Sequence, residues 1–512
     1  MGVIIRQTIK GTIVNYVGVL IGFFTTFFVI THLLTTEEIG LTRVLVDAGV
    51  LLAGLAQMGT GSSIIRYFPY FQDEEKKHHG FFFWTLIIPI VGFCLITLLS
   101  FLFKPQICSI FGDKSPLFVE YYYLLAPLSF FLLYLAVFET NANVLMRIAF
   151  PKLVREVIIR VLTLGTYIFY GYDLINFQQF IYAFCAVYGV AALINIIYLV
   201  SRKNVSFKPQ FDKIDPFVKK DVGPYSLFII TTTLITAITP GLNTFFISAQ
   251  LGLVYTGIFA IANYITAFIE IPYRSLGAIT QPEIAKTMKE NDIQKTSFLC
   301  QEVALHQLLV GGMILWLIWI NIDLIYEIMP NGSSFESGKY VVLILGITKL
   351  ISASYNISTT VLGFSKYYYY SLLFTFILTF SAIVLNNKLI PVMGINGAAF
   401  ASLISTCIFV FPLILFNQYK LKTSFFNSKQ FFALLILIGL FLLDLGWELS
   451  IKSIILLLPY KTIHLLIING VLKSVILGLI GVIIVFKIQL SEEINKIIIH
   501  ILSFFTRKSQ QK

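Results

Sequence analysis

The sequence is poor in charged side chains and in cysteine. Only 12% of its 512 residues are Asp, Glu, Lys or Arg, whereas 57% are hydrophobic, and the mean hydropathy is +0.85. A soluble globular domain carries about a quarter charged residues. The five cysteines have no paired spacing, which argues against a disulfide framework or a cysteine metal site. We expect them to pack as small core residues.

The sequence also lacks the regular alternation of apolar and polar residues that a transmembrane β-barrel needs. It contains instead repeated hydrophobic runs, each long enough to cross a bilayer core of about 30 Å. We therefore predict an all-α polytopic membrane protein with about 14 transmembrane helices, here called spans 1 to 14. Their predicted bounds are 11–34, 41–63, 81–103, 117–138, 153–171, 177–200, 224–248, 253–275, 301–322, 340–362, 367–386, 394–417, 430–449 and 462–488.

The net charge of +11 would suggest a nucleic-acid partner in a soluble protein, but here the basic residues concentrate in alternate loops. If the N-terminus is cytoplasmic, the inner segments hold 27 Lys and Arg residues and the outer segments hold six. Basic residues in short loops stay on the cytoplasmic side of a membrane. This asymmetry predicts that both termini are cytoplasmic, and it predicts no nucleic-acid partner.

A basic stretch from Ser201 to Pro224 divides the spans into six before it and eight after it. Because six is even, the chain returns to the same side of the membrane, which predicts a parallel repeat. The predicted domains are a six-helix lobe (1–200), a basic linker (201–223), a second six-helix lobe (224–418), two additional helices (419–488) and an amphipathic tail (489–512). Parallel repeats of this kind are a transporter architecture, with the substrate path between them.

Matched residues support the repeat. Gly40 and Gly257 open spans 2 and 8, and Gly59 and Gly277 lie near the ends of the same two spans. Later, 149–152 (Ala-Phe-Pro-Lys) occupies the place that 363–366 (Gly-Phe-Ser-Lys) has in the second half. The charged loops 73–77 and 286–295, which follow spans 2 and 8, are a fourth match, and four matches in one register favour duplication.

No arrangement typical of an enzyme is visible. The glycines Gly54, Gly59 and Gly61 lack the Lys and Ser or Thr of a phosphate-binding loop, and His78-His79 has no second ligand pair at metal spacing. No outer loop exceeds about twenty residues, which leaves no room for a folded outer catalytic domain. We predict a transporter without a metal or cofactor.

Ionisable residues inside spans are costly to bury and usually face a cavity or a partner. Arg43 and Asp47 are four residues apart on span 2, so they share a helix face and can form an ion pair. We predict a cationic cavity that binds an anionic substrate, and assign to it Arg43, Arg160, Lys349 and Lys473. Asp47 is assigned to pairing or to ion coupling. A structural ion pair, or snorkelling of the long side chains, is the alternative.

Three asparagines within spans can line the same polar path or hydrogen-bond neighbouring helices. They are Asn15, Asn243 and Asn263.

The stretches Leu362-Gly-Phe-Ser-Lys366 and Gly394-Ile-Asn-Gly-Ala-Ala399 resemble the polysaccharide-biosynthesis flippases. These form the Wzx-like branch of the multidrug/oligosaccharidyl-lipid/polysaccharide (MOP) exporter superfamily. Thr12-x-x-Asn-Tyr16, the Ile39-Gly40 turn, Gly59 and Arg66 are similar to the first two helices of that family.

The resemblance implies a flippase in the bacterial inner membrane that moves an undecaprenyl-diphosphate-linked sugar unit, such as an O-antigen or capsule unit, to the outer leaflet. Its expected partners are that lipid-linked anionic glycan, membrane lipid and glycan-assembly machinery. Two other functions stay open. A cation-coupled drug exporter of the same superfamily usually has 12 spans and acidic core residues, and a polysaccharide polymerase or ligase needs a catalytic outer loop.

Overall fold

The computed structural model describes residues 14, 15, 17–73, 75, 77–201, 225, 229–233, 235–455, 463–491, 495 and 496. Most of the predicted linker and tail lie outside the described residues. Over the described ranges the chain forms helices joined by short turns, without a β-strand, as the sequence predicts.

Twelve helices in the described ranges are long and apolar enough to cross a membrane. They are Thr36–Ala56, His78–Leu102, Tyr122–Val144, Phe177–Val200, Ile229–Gln250, Leu253–Arg274, Ile293–Ile320, Gly332–Gly363, Tyr370–Met393, Ile395–Leu421, Ser428–Ser450 and Ile467–Ile488. They correspond to spans 2 to 4, 6 and 7 to 14. Span 1 is the shorter apolar helix Val17–Leu33. Span 5 is helical from 149 to 171 and carries four charged residues, Lys152, Arg155, Glu156 and Arg160.

Helix starts follow local sequence signals. Thr35 and Asn176 each form a capping box. The side chain of the cap residue accepts from the backbone N–H of the third helical residue, and the side chain of that third residue accepts from the backbone N–H of the cap residue. Asp292 accepts from the N–H of Lys295, so the helix of span 9 begins at Ile293, eight residues before the predicted start.

Several of the described spans contain a break in regular α-helix. Spans 1 and 5 contain the π-helical segments Thr25–Ile30 and Val154–Ile158. Spans 7 and 8 contain the 3₁₀ turns Thr239–Gly241 and Ala267–Glu270. Such irregular turns free backbone carbonyls and often mark functional positions in helices.

The described residues pack as two compact units. The first comprises the described residues up to Ala260, with Met329–Asn331 and Asn386–Gly394; the second comprises Ile261–Ile328, Gly332–Leu385 and the described residues from Ile395 onward. The first has a core between spans 2, 4 and 6, around Ala56, Val137 and Leu199. In the second, Trp316 packs with Leu440 and Leu477, joining span 9 to spans 13 and 14. The division into six-helix lobes stays a prediction.

Within the first unit, spans 2 and 8 cross at Gly40 and Gly257, and the contact is reciprocal. A side chain on Gly40 would overlap the Leu253 carbonyl, and one on Gly257 would overlap the Thr36 carbonyl. Each residue lies 217 positions from its counterpart, since 36 matches 253 and 40 matches 257. A reciprocal contact between matched residues is the mark of a local two-fold axis.

The same spacing recurs at the ends of spans 1 and 7, also within the first unit. Ser115 Oγ donates to the Ser248 carbonyl at 2.7 Å, and Asn331 Nδ2 donates to the Thr31 carbonyl at 2.9 Å. Thr31 and Ser248, again 217 residues apart, each return their hydroxyl to the carbonyl four residues earlier. These paired contacts support an internal repeat.

The other glycine pair behaves differently from the prediction. Gly59 has φ +74° and separates Thr36–Ala56 from the next helix, Thr60–Phe71. Gly277 lies inside the continuous helix Ile271–Lys289. That helix begins at Ile271 and runs through Pro282 without a break.

Candidate substrate site

On span 2, Arg43 and Asp47 form an ion pair. Arg43 Nε lies 2.9 Å from Asp47 Oδ2, and the same oxygen accepts from Thr244 Oγ1 of span 7 at 2.7 Å. The Asp47 side chain is only 10% exposed, against 26% for Arg43. The carboxylate is therefore held between two helices of the first unit, while part of the guanidinium stays accessible.

The second cation, Arg160, lies next to the π-helical segment of span 5. Its Nη2 pairs with Glu156 Oε2 at 3.0 Å, and its Nη1 donates to the carbonyl of Gly18 on span 1. A side chain larger than hydrogen at Gly22 would overlap the guanidinium. Next to this pair, Arg155 Nη1 forms a second ion pair with Glu139 Oε2 at 3.0 Å. This network links spans 1, 4 and 5 in the first unit.

Lys349 pairs in the second unit with Glu270, at 3.1 Å between Nζ and Oε1. Glu270 ends the 3₁₀ turn of span 8, just before Pro272. Gln307 of span 9 donates to the carbonyl of Ile269 in the same turn at 2.7 Å, which compensates part of the interrupted helix bonding. Arg274 lies 3.7 Å from the other Glu270 oxygen.

Lys473, the fourth predicted cation, is 2% exposed and contacts two carboxylates of span 13. Its Nζ is paired with Asp444 and lies 2.7 Å from Glu448 Oε1. The ammonium is thus compensated twice within the two added helices. This environment favours a structural ion cluster over contact with a mobile substrate.

The three predicted asparagines have different surroundings. Asn243 Oδ1 accepts from the Nδ2 of Asn386, a buried residue of span 11, at 3.1 Å. This bond joins two helices of the first unit, as the structural alternative expects. Asn15 is helical and half-buried, and Asn263 is half-buried on the helix Leu253–Thr266.

Each of the four deep cations therefore has a carboxylate within about 3 Å. The sequence analysis singled out only Asp47 as a partner, although Glu156 has the same i,i+4 spacing from Arg160. It missed Glu270, Asp444 and Glu448, which come from other spans than the cations they contact. An inventory of acidic residues inside spans would have found them.

A carboxylate-paired cation binds a phosphate by sharing or exchanging partners. The carboxylate lowers the cost of holding the cation in the membrane while the site is empty. It also competes with the phosphate, so that binding stays reversible. Arg43, Arg160 and Lys349 suit this chemistry because each keeps about a quarter to a third of its side chain exposed. Among the described residues, no three His, Cys, Asp or Glu side chains are grouped to hold a metal ion.

The described residues therefore form an all-helical fold in which charged pairs lie inside broken spans. In fold, the chain is similar to a lipid II flippase, MurJ, in an inward closed conformation, with a TM-score of 0.72 and 13% identity over 94% of this chain and all of that one. It is also similar to an inward-facing multidrug resistance MATE family transporter of the MOP superfamily, with a TM-score of 0.60 and 16% identity over 81% of this chain and 94% of that one. A third similar structure is a MOP superfamily transporter from Pyrococcus furiosus, with a TM-score of 0.52 and 14% identity over 82% of this chain and 95% of that one.

The sequence profile of the family described as polysaccharide biosynthesis protein matches residues 5–288, more than half of the chain. The chain belongs to the polysaccharide biosynthesis protein family, and the family predicted from the sequence is confirmed. Among curated protein sequences, none is similar enough to this chain to count as a match.

Proposed function

We propose that this protein is a flippase that carries an undecaprenyl-diphosphate-linked oligosaccharide from the inner to the outer leaflet of the bacterial cytoplasmic membrane. The observation that carries the proposal is the set of partly exposed, carboxylate-paired cations within the spans of a polysaccharide biosynthesis family member. The cargo is a repeat unit of an O-antigen, capsule or related polysaccharide.

The chemistry of the cargo requires such a path. A diphosphate carries at least two negative charges and the glycan is strongly hydrated, so neither crosses hydrocarbon without polar partners. Arg43, Arg160 and Lys349 offset the phosphate charge in turn, while the prenyl chain stays in lipid. Alternating access moves the head group from one side to the other. Both termini and the basic linker lie in the cytoplasm, as the distribution of Lys and Arg predicts.

The protein acts as a transporter and not as an enzyme in this proposal, and glycan-assembly enzymes supply and consume its cargo. A cation-coupled drug exporter is the second candidate, favoured by the similarity to a MATE transporter and by the paired carboxylate Asp47. Drug exporters of that kind are expected to protect cells from cationic compounds without affecting glycan export.

Complementation separates the two candidates. The gene is expressed in a panel of strains, each lacking the flippase for a different lipid-linked glycan, and the glycan on the cell surface is measured. We expect export in at least one strain and unchanged susceptibility to cationic drugs. Drug resistance without glycan export in any strain would overturn the proposal and favour the exporter.

A further inference from the structure

The turn between spans 10 and 11 carries four consecutive tyrosines, from Tyr367 to Tyr370, directly after Lys366. Tyr367 and Tyr370 pack against Phe416 of span 12, with ring centroids 5.9 and 4.8 Å away. The intervening pair faces outward, since Tyr368 is 55% exposed and Tyr369 is 49% exposed. The inner two rings thus anchor the turn and leave the middle two available.

Basic residues flank the exposed rings. Lys366 Nζ lies 5.2 Å from the ring centroid of Tyr367, and Lys420 follows Phe416 by one helical turn. Phe364 and Tyr419, in the same two segments, are also exposed. We call it the tyrosine–lysine patch, made of Phe364, Lys366, Tyr368, Tyr369, Tyr419 and Lys420. Neither of its segments, 363–374 and 416–422, contains an Asp or Glu.

The matching turn of the first half is built differently. There Phe150 stacks on Tyr198 with centroids 4.1 Å apart, Pro151 is buried, and Arg155 and Glu156 follow. One aromatic pair is therefore enough to pack this corner of the repeat. The additional exposed tyrosines of the second half are not needed for that packing.

The patch lies where spans end. Gly332–Gly363 ends just before it, Tyr370–Met393 begins within it, and Ile395–Leu421 ends beside it. Tyrosine rings and lysine stems are stable at the level of lipid head groups, with the polar tips in water.

We propose that the tyrosine–lysine patch binds the phosphate of an anionic phospholipid in the surrounding bilayer. The ammonium groups of Lys366 and Lys420 offset the phosphate charge, the hydroxyl groups of Tyr368 and Tyr369 donate hydrogen bonds to its oxygens, and Phe364 and Tyr419 contact the upper acyl chains. The absence of carboxylates in both segments makes the surface complementary to an anion. The proposal does not depend on whether the chain is a flippase.

Lipid retention tests the proposal. The full-length protein is reconstituted in bilayers of phosphatidylglycerol and phosphatidylcholine, re-extracted in mild detergent, and its bound lipid is measured by mass spectrometry. We expect the protein to retain phosphatidylglycerol in preference to phosphatidylcholine. A basic residue near a charged surface contributes about 1 kcal/mol, or about fivefold in binding. In the double variant Lys366→Gln/Lys420→Gln, the ratio of retained phosphatidylglycerol to phosphatidylcholine should therefore fall by roughly 25-fold.

Two further variants guard the interpretation. Lys388→Gln alters an exposed lysine near the other end of span 11 and should keep the full preference. Tyr368→Leu/Tyr369→Leu keeps apolar bulk but removes the hydroxyl groups, so it should reduce retention even if the lysine variant proves unstable. Equal retention of both lipids by the unmodified protein would overturn the proposal. So would displacement of the lipid by millimolar inorganic phosphate, which would indicate a site for free anions.

Discussion

Charged side chains inside the spans set the chemistry at the scale of single residues. An isolated cation in hydrocarbon is costly, and a carboxylate partner lowers that cost. Removing one member of such a pair leaves the other uncompensated, which destabilises the protein more than removing both. Substitutions at this site therefore have to be designed as pairs if function and folding are to be separated.

The first prediction concerns Arg160 and Glu156. The double variant Arg160→Gln/Glu156→Gln keeps the local net charge and should accumulate normally, but its glycan export should fall at least tenfold because the phosphate loses a cation. Glu156→Gln alone keeps the cation and should retain more export. Export is measured at matched protein level. Full export by the double variant would remove Arg160 from the transport path.

The second prediction concerns Lys349 and Glu270. Lys349→Met leaves Glu270 with only the more distant Arg274, and about a quarter of each side chain of the pair is exposed. We expect a loss of stability on the order of 1–3 kcal/mol, below that of a fully buried pair. Lys349→Met/Glu270→Gln should restore the unfolding temperature without restoring export. Restored export would assign Lys349 a structural role only.

The sequence predicts part of this site for a physical reason. The pair Arg43–Asp47 is visible because both residues lie on one helix face, four positions apart. The partners Lys349 and Glu270 lie on spans 10 and 8, and their contact depends on how those helices pack. Hydrophobic periodicity contains no information on that packing.

At the scale of helices, the crossing of spans 2 and 8 depends on two glycines. A methyl group at Gly40 or Gly257 would overlap a backbone carbonyl of the facing helix, and a carbonyl cannot move aside as a flexible side chain can. We expect Gly40→Ala and Gly257→Ala each to lower stability by about 1–3 kcal/mol, as overpacking usually does.

Thermal unfolding in detergent measures this effect. Gly165→Ala is the matched control, because it lies in a helix of span 5 and an added methyl group meets no atom within 4 Å. The control should be neutral or slightly stabilising, since alanine favours helix over glycine. Equal behaviour of the three variants would contradict the close crossing.

Span existence was predictable because apolar runs of about 20 residues have few alternatives in a membrane protein. Helix ends were less predictable, since they depend on capping. Asp292 extends span 9 toward the N-terminus, and Gly59 interrupts a helix where its supposed match, Gly277, does not.

At the scale of the whole molecule, the orientation of the chain in the membrane can be tested. Reporters fused at Gly171 and Asn331 should be located outside the cytoplasm. Reporters fused within 201–223 should be located in the cytoplasm. The reason is the 27-to-6 distribution of Lys and Arg. A linker fusion that is active outside would contradict the parallel repeat as well as the orientation.

Translocation in reconstituted vesicles tests the central claim most directly. Vesicles containing the purified protein and an undecaprenyl-diphosphate-linked oligosaccharide are treated with a glycan-cleaving enzyme that cannot cross the bilayer. The account predicts that nearly all the glycan becomes accessible over time, and that the Arg160→Gln/Glu156→Gln variant slows this at least tenfold. If accessibility stops at the outer-leaflet share seen in protein-free vesicles, the protein is not a flippase for this class of lipid-linked glycan.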